Sequence, residues 1–307
     1  MTDLRTRLHG LWLPLITPFR DGVLDEASTR RLIEHYARQP IDGLILGATS
    51  GEGLALSSAE LATLVTVVHD ALAAIGRALP ICLGLAGAAT ARMIEALEAT
   101  AAWPIDGYLI SSPFYVRPSQ RGLLAHFTAL ADAARHPVVL YNIPYRSSVG
   151  LDNDTLLRLA EHPNIVGLKD CCANRGQTRE LLQSRPDGFR VLTGEDSHAF
   201  DALEAGADGA ILLSAHLETA TFAAIQSELQ AGNQAAAAAL WDRVSHLTRL
   251  LFSEPSPAPA KYWLARIGLI ASPEVRLPML AVSAELATRL EQEIAERKSA
   301  VERHRVG

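Results

Sequence analysis

The run "IVGLKDCC" (165–172) is apolar apart from Lys169 and the aspartate that follows it. Ile165, Val166, Gly167 and Leu168 read as a strand buried on both faces, which carries an ammonium group into the interior. Leaving water penalises the charged form and lowers a lysine pKa from about 10.4 toward 7–8, so free amine is present near neutral pH. A neutral amine can attack a ketone carbon. The plainer use of such a lysine is an ion pair with an acid, and strand position alone does not separate the two. Neighbouring residues on a strand face opposite ways, however, so Asp170 is badly placed to pair with Lys169. That favours chemistry.

The elements that would position this amine are eight short apolar runs: "LWLPLITPF" (11–19), "DGLILGATS" (42–50), "PICLGLA" (80–86), "DGYLISSPF" (106–114), "PVVLYNIP" (137–144), "IVGLKDC" (165–171), "FRVLTGE" (189–195) and "GAILLSA" (209–215). Between them stand segments such as "SSAELATLVTVVHDALAAI" (57–75) and "TARMIEALEATAAW" (90–103), whose apolar residues recur at helical spacing. Ser57 with Glu60 forms a capping-box pattern at the start of the first. Strands alternating with helices in this way are the pattern of an α/β fold, a (β/α)8 TIM barrel, with a doubly wound open sheet as the runner-up. Residues 1–216 read as the barrel core, and 217–307 as the last barrel helix and a C-terminal helical extension. Within the extension, "EPSPAPAKYW" (254–263) has three prolines in five residues and reads as a rigid turn rather than helix interior.

In such barrels the chemistry sits at the C-terminal ends of the strands. Those ends carry Thr49, Ser50 and Glu52; Phe114 and Tyr115; Tyr141 and Arg146; Lys169 and Asp170; Glu195, Asp196 and His198; and Ser214 and His216. Glu195, Asp196 and His198 could hold a metal that polarises a carbonyl. The preferred reading is that Asp196 and Ser197 cap the next helix, with His198 in its first turn. His216 reads as a buried, hydrogen-bonded histidine in preference to one lining the mouth. Neither metal nor other cofactor is expected.

At 307 residues with 49% hydrophobic side chains, the chain can bury a large core as one main domain. Its net charge is −6 with no basic stripe, which argues against nucleic acid or lipid headgroups and for a small-molecule partner. Three cysteines, Cys82, Cys171 and Cys172, are too few for a disulfide framework and fit a reducing cytoplasm. The last two read as small core residues. The N-terminus lacks a leader pattern and no apolar stretch reaches the roughly 20 residues that span a bilayer, so neither export nor a membrane is expected.

The residues also carry a resemblance over nearly the whole chain. "YNIPYRSSVGL" (141–151), followed thirteen residues later by "IVGLKDC", is joined by "GATSGEG" (47–53), "SPFYVRPSQRGLLAHF" (112–127), "EPSPAPAKYWLARIGL" (254–269) and "RLPM" (276–279). Together these resemble the dihydrodipicolinate synthase and N-acetylneuraminate lyase family of class I pyruvate aldolases, most of all its synthases. The resemblance implies that Lys169 forms an imine with pyruvate and that the Tyr141 phenol shuttles protons over it. It implies that Thr49 relays between Tyr141 and a Tyr115 supplied by a neighbouring subunit, and that Thr49 and Ser50 hold the pyruvate carboxylate. Ile211 is placed by the same match among the substrate-binding residues, and Glu52 among the structural ones. A homotetramer built as a dimer of dimers, or a homodimer, is implied as well.

The same resemblance implies that Arg146 selects among the family's aldehydes. A guanidinium holds a carboxylate through two parallel hydrogen bonds, and synthases carry arginine here to receive aspartate semialdehyde on the route to diaminopimelate and lysine. Related aldolases and sugar-acid dehydratases differ in this pocket, and a non-catalytic keto-acid-binding regulator is the reading from another class. Two departures stand out. Ala48 and Ser50 stand where the family usually has Gly and Thr; Ser50 keeps the hydroxyl, while Ala48 costs the backbone its freedom at positive φ. Ser148 stands where the family often has Gly, so the loop after Arg146 is expected to differ in shape. Where lysine-inhibited members hold lysine with His, Asn, Glu and Tyr, the flanking motifs place Leu61, Ala88, Arg92 and Phe114, so no lysine inhibition is expected.

Overall fold

The computed structural model describes residues 4–306, with side chains described as far as residue 298. Eight parallel strands close on themselves: β1 (Gly10–Pro14), β2 (Gly43–Leu46), β3 (Ile81–Leu85), β4 (Gly107–Ser111), β5 (Val138–Asn142), β6 (Ile165–Asp170), β7 (Arg190–Thr193) and β8 (Gly209–Ile211). Each lies within one of the apolar runs, except that β1 begins one residue before its run, at Gly10. The open-sheet alternative is excluded because β1 pairs on one side with β8, Leu11 opposite Ala210, and on the other with β2, Leu13 opposite Leu44.

Parallel strands covered on both faces need apolar side chains on both, and all six residues of β6 are buried. Alternation divides the strand side chains into two layers. Leu11, Leu13, Leu44, Leu168 and Val191 pack outward against the helices, whereas Trp12, Ile45, Leu109, Val139, Leu192 and Ile211 fill the barrel. A helix follows each strand, from Glu26–Tyr36 round to Ala215–Gln230. The helix Ser58–Ile75 opens on the expected capping box between Ser57 and Glu60 and closes on Gly76 in the left-handed conformation. By length and composition alone this 18-residue helix is apolar enough to cross a membrane, a test that core helices also pass. Its Leu64, Val65, Val68 and Leu72 are instead buried in the outer layer of the barrel.

The pairing of β5 with β6 contains a one-residue slip. Val138 stands opposite Ile165, but Val139 stands opposite Gly167, and from there Tyr141 meets Lys169 and Asn142 meets Asp170. Val166 is the extra residue of a bulge. Ile165 packs outward among the helices, so unbroken alternation would also send Lys169 outward. The bulge turns Lys169 inward, beside Tyr141.

Beyond the barrel, helices Gln234–Leu251, Ala258–Arg266 and Ala284–Val306 pack as an extension. The proline-rich segment is a turn only as far as Pro257. Pro259 lies inside the helix that starts at Ala258, contrary to expectation. It is tolerated there because the first-turn amides of a helix have no intrahelical acceptor to lose.

Candidate active site

Lys169 and Tyr141 stand side by side at the ends of β6 and β5, and the ammonium lies 4.3 Å from the centre of the phenol ring. Both are buried, at 4% and 6% exposure. Burial pushes the Lys169 pKa down; Cys171, Asp196 and Glu195 pull it back up, and the Arg146 guanidinium pushes it down again. Asp170 faces the other way, as strand alternation demands. It accepts hydrogen bonds from Asn142 Nδ2 at 3.1 Å, the Cys172 amide at 3.0 Å and Thr178 Oγ1 at 2.7 Å.

Room for the lysine stem comes from Gly194, just past β7. A Cβ at that position would lie 2.3 Å from Lys169 Cε and 2.7 Å from its Cγ. Sequence reasoning passed over this glycine, although its place at the end of the seventh apolar run was the available signal. The Tyr141 phenol is held in its neutral form chiefly by burial, and a hydrogen bond with the Thr49 side chain works in the opposite sense. The Cys171 thiol reaches the same phenol at 4.0 Å, so this cysteine, expected to be inert filling, borders the site.

Thr49 and Ser50 belong to a tight turn, Thr49–Gly51, that follows β2 and is tied down by a 2.7 Å hydrogen bond from Thr17 Oγ1 to the Gly51 carbonyl. Ala48, where strain was at issue, sits at φ −79° in extended backbone that any residue adopts. The left-handed residue of this turn is Glu52, at φ 51°. Ser148 does take the left-handed conformation, φ 63°, and its amide closes the short helix Pro144–Ser147 on the Pro144 carbonyl at 2.8 Å. The loop after Arg146 therefore keeps the bend that glycine would favour, at a cost of about 1–2 kcal/mol.

Thr49, Tyr141 and Arg146 line one cavity of 510 Å³ at the C-terminal mouth of the barrel, and Lys169 lies against the ring of Tyr141. Arg146 is exposed on its short helix with its guanidinium 5.5 Å from the Tyr145 ring, and it also borders a second opening shared with Glu195. Ile211 lies deep in the barrel in the same apolar cluster as Tyr141. Tyr115 is not brought to Thr49 within the chain. It is 90% exposed, with φ 72°, while Phe114 before it lines the cavity.

The remaining strand-end acids do not converge. Asp196 accepts amide hydrogens from Ser214 at 2.7 Å and Leu213 at 3.3 Å, tying the end of β7 to the segment after β8 instead of capping the next helix. Burial pushes its pKa up to about 6. Ser197 gives its hydroxyl to Glu195 at 3.0 Å, and among the described residues no three His, Cys, Asp or Glu side chains are grouped to hold a metal ion. His216 is buried, hydrogen-bonded through Nδ1 to the Leu213 carbonyl at 2.9 Å, and burial pushes its pKa down to about 4.

The sequence pattern of the dihydrodipicolinate synthetase family matches residues 7–297. The chain belongs to that family. The 4-hydroxy-tetrahydrodipicolinate synthase 2 of Clostridium acetobutylicum is 40% identical over 286 residues, covering 92% of this chain and 98% of the relative. The 4-hydroxy-tetrahydrodipicolinate synthase structure from Methylacidiphilum fumariolicum SolV superposes with a TM-score of 0.90 at 31% identity, over 96% of this chain and 98% of that one. The chloride-inhibited dihydrodipicolinate synthase of Acinetobacter baumannii, solved with pyruvate, gives 0.88 at 30% identity, over 93% and 97%. In this dihydrodipicolinate synthetase family member, Leu61 and Phe114 line the main cavity, and Arg92 is turned to solvent in a 2.7 Å ion pair with Glu95.

Proposed function

We propose that the protein is a 4-hydroxy-tetrahydrodipicolinate synthase, a lyase that condenses pyruvate with aspartate semialdehyde through an imine on Lys169. The observation that carries this is the buried Lys169 amine set in register against the Tyr141 phenol, which lines a cavity shared with Arg146. The free amine attacks the ketone carbon of pyruvate and water leaves, giving an iminium. Loss of a methyl proton makes the enamine, whose terminal carbon adds to the aldehyde carbon. Tyr141 is the proton carrier for these steps, and Thr49 is its next partner. Thr49 and Ser50 offer hydroxyl and backbone donors to the pyruvate carboxylate, and Ile211 forms apolar floor beneath the substrate. Arg146 receives the carboxylate of the aldehyde. The amino group of the added aspartate semialdehyde then attacks the iminium carbon, closing the ring and expelling the Lys169 amine, which takes up the proton and is free for another turn.

The relay needs one more hydroxyl than a single chain brings to Thr49. An exposed tyrosine in a left-handed bend suits insertion into a second copy, so the working form on this reading is a homodimer or a dimer of dimers in which Tyr115 crosses the interface. Lysine is not an inhibitor on this reading, because the cation Arg92 stands where an acid would be needed to pair with its amino group. Turnover of pyruvate against a panel of aldehydes tests the function. Aspartate semialdehyde is expected to give the highest kcat/KM, and Arg146→Ala is expected to remove most of that preference. A sugar-acid aldehyde preferred by both forms would reassign the enzyme within its family.

A further inference from the structure

The chain has three lysines, Lys169, Lys261 and Lys298, and the second of them is wholly shielded from solvent. Lys261 lies on the helix Ala258–Arg266 in the C-terminal extension. Its Nζ donates to Glu52 Oε1 at 2.5 Å, 209 residues away in sequence, and to the Glu274 carbonyl at 2.8 Å, with the Phe19 ring 4.2 Å beneath it. The other carboxylate oxygen of Glu52 accepts the Arg276 amide at 2.9 Å. The Arg276 guanidinium continues the chain of contacts to Glu60 at 2.5 Å and to the Ala55 and Gly22 carbonyls at 2.9 and 2.8 Å.

Glu52 is also the residue that closes the turn carrying Thr49 and Ser50, its amide meeting the Thr49 carbonyl at 3.1 Å. Its left-handed backbone is strained for a residue with a Cβ and persists only where the surroundings over-determine it. Gly53, next along, is pressed so tightly that a Cβ there would fall 1.7 Å from the Gly47 carbonyl oxygen. The turn thus has a single buried side-chain handle, the Glu52 carboxylate, and that handle is gripped from the C-terminal extension.

We infer that Lys261 is a positioning residue for pyruvate: by holding Glu52 it sets the Thr49–Ser50 turn against Tyr141, so the extension completes the active site. The inference rests on the imine reading only in taking pyruvate as the ligand of that turn. Its test is the pyruvate concentration that half-saturates borohydride labelling of Lys169. That concentration reads only molecules with an intact pocket, whatever fraction is folded. In Lys261→Met it is expected to rise at least tenfold, while labelling at saturating pyruvate still falls on Lys169. Glu52→Gln carries the same expectation and serves where Lys261→Met does not fold. The double variant, which leaves no unpaired buried charge, is expected to be no worse than Lys261→Met alone. A half-saturation within twofold of the parent, with or without lost thermal stability, would overturn the inference. Absence of labelling in the parent would count against the imine itself.

Discussion

At the scale of single residues, the site is an amine and a phenol forced out of water together. Burial disfavours the charged form of each, so Lys169 inclines to free amine and Tyr141 to neutral phenol, a donor and acceptor matched to imine chemistry. Tyr141→Phe keeps the ring that packs over Lys169 and removes only the hydroxyl. Turnover is expected to fall about 10²–10⁴-fold, the usual worth of a positioned acid–base group. Near-parental kcat would leave the phenol a packing role. The electrostatics give a second expectation. Imine formation follows the deprotonated amine, so its rate rises with pH through the Lys169 pKa, with a midpoint below the ordinary lysine value of about 10.4. Arg146 pushes that pKa down, so Arg146→Ala is expected to move the midpoint of the rate of borohydride trapping upward, and Glu195→Gln to move it downward. A midpoint unmoved by both substitutions would contradict the assignment of those neighbours.

At the scale of elements, β6 and the segment after β7 do the placing. The β5–β6 bulge decides that Lys169 faces inward, and Gly194 decides that its stem has somewhere to lie. Gly194→Ala is expected to cut imine formation at least about 10²-fold, the scale of loss for a reacting group displaced by about an ångström. Trapping at the parental rate would show that the stem relaxes around the methyl. These elements mark where sequence reasoning ended. Strand ends were legible because parallel strands buried on both faces read as continuous apolar runs, and Lys169 interrupts one of them. The bulge was not legible, since it exists only in the pairing of β6 with a partner strand. Nor was the grip of Lys261 on Glu52, because nothing local to either residue points across 209 positions. The concern over Ala48 failed for a related reason: which residue of a turn goes left-handed depends on how the turn closes, and here that residue is Glu52.

At the scale of the whole molecule, the barrel holds Lys169, the extension reaches the Thr49–Ser50 turn through the Lys261–Glu52 contact, and Tyr115 is left projecting into solvent. A second chain is expected to complete the relay. Mixing inactive Tyr115→Phe with inactive Lys169→Ala is therefore expected to regain activity, since a hybrid dimer holds one site with both groups intact. Hybrids that form and stay inactive would mean that Tyr115 serves its own chain or does not serve catalysis. The central claim, that Lys169 is the amine that captures pyruvate, is tested most directly by reducing the protein with borohydride in the presence of pyruvate and locating the added mass. The three lysines, Lys169, Lys261 and Lys298, and the chain's α-amino group are the amines that could carry it. The expected result is a single adduct on Lys169 that disappears in Lys169→Ala together with turnover. An adduct on another of these amines, or turnover that persists in Lys169→Ala, would contradict the account.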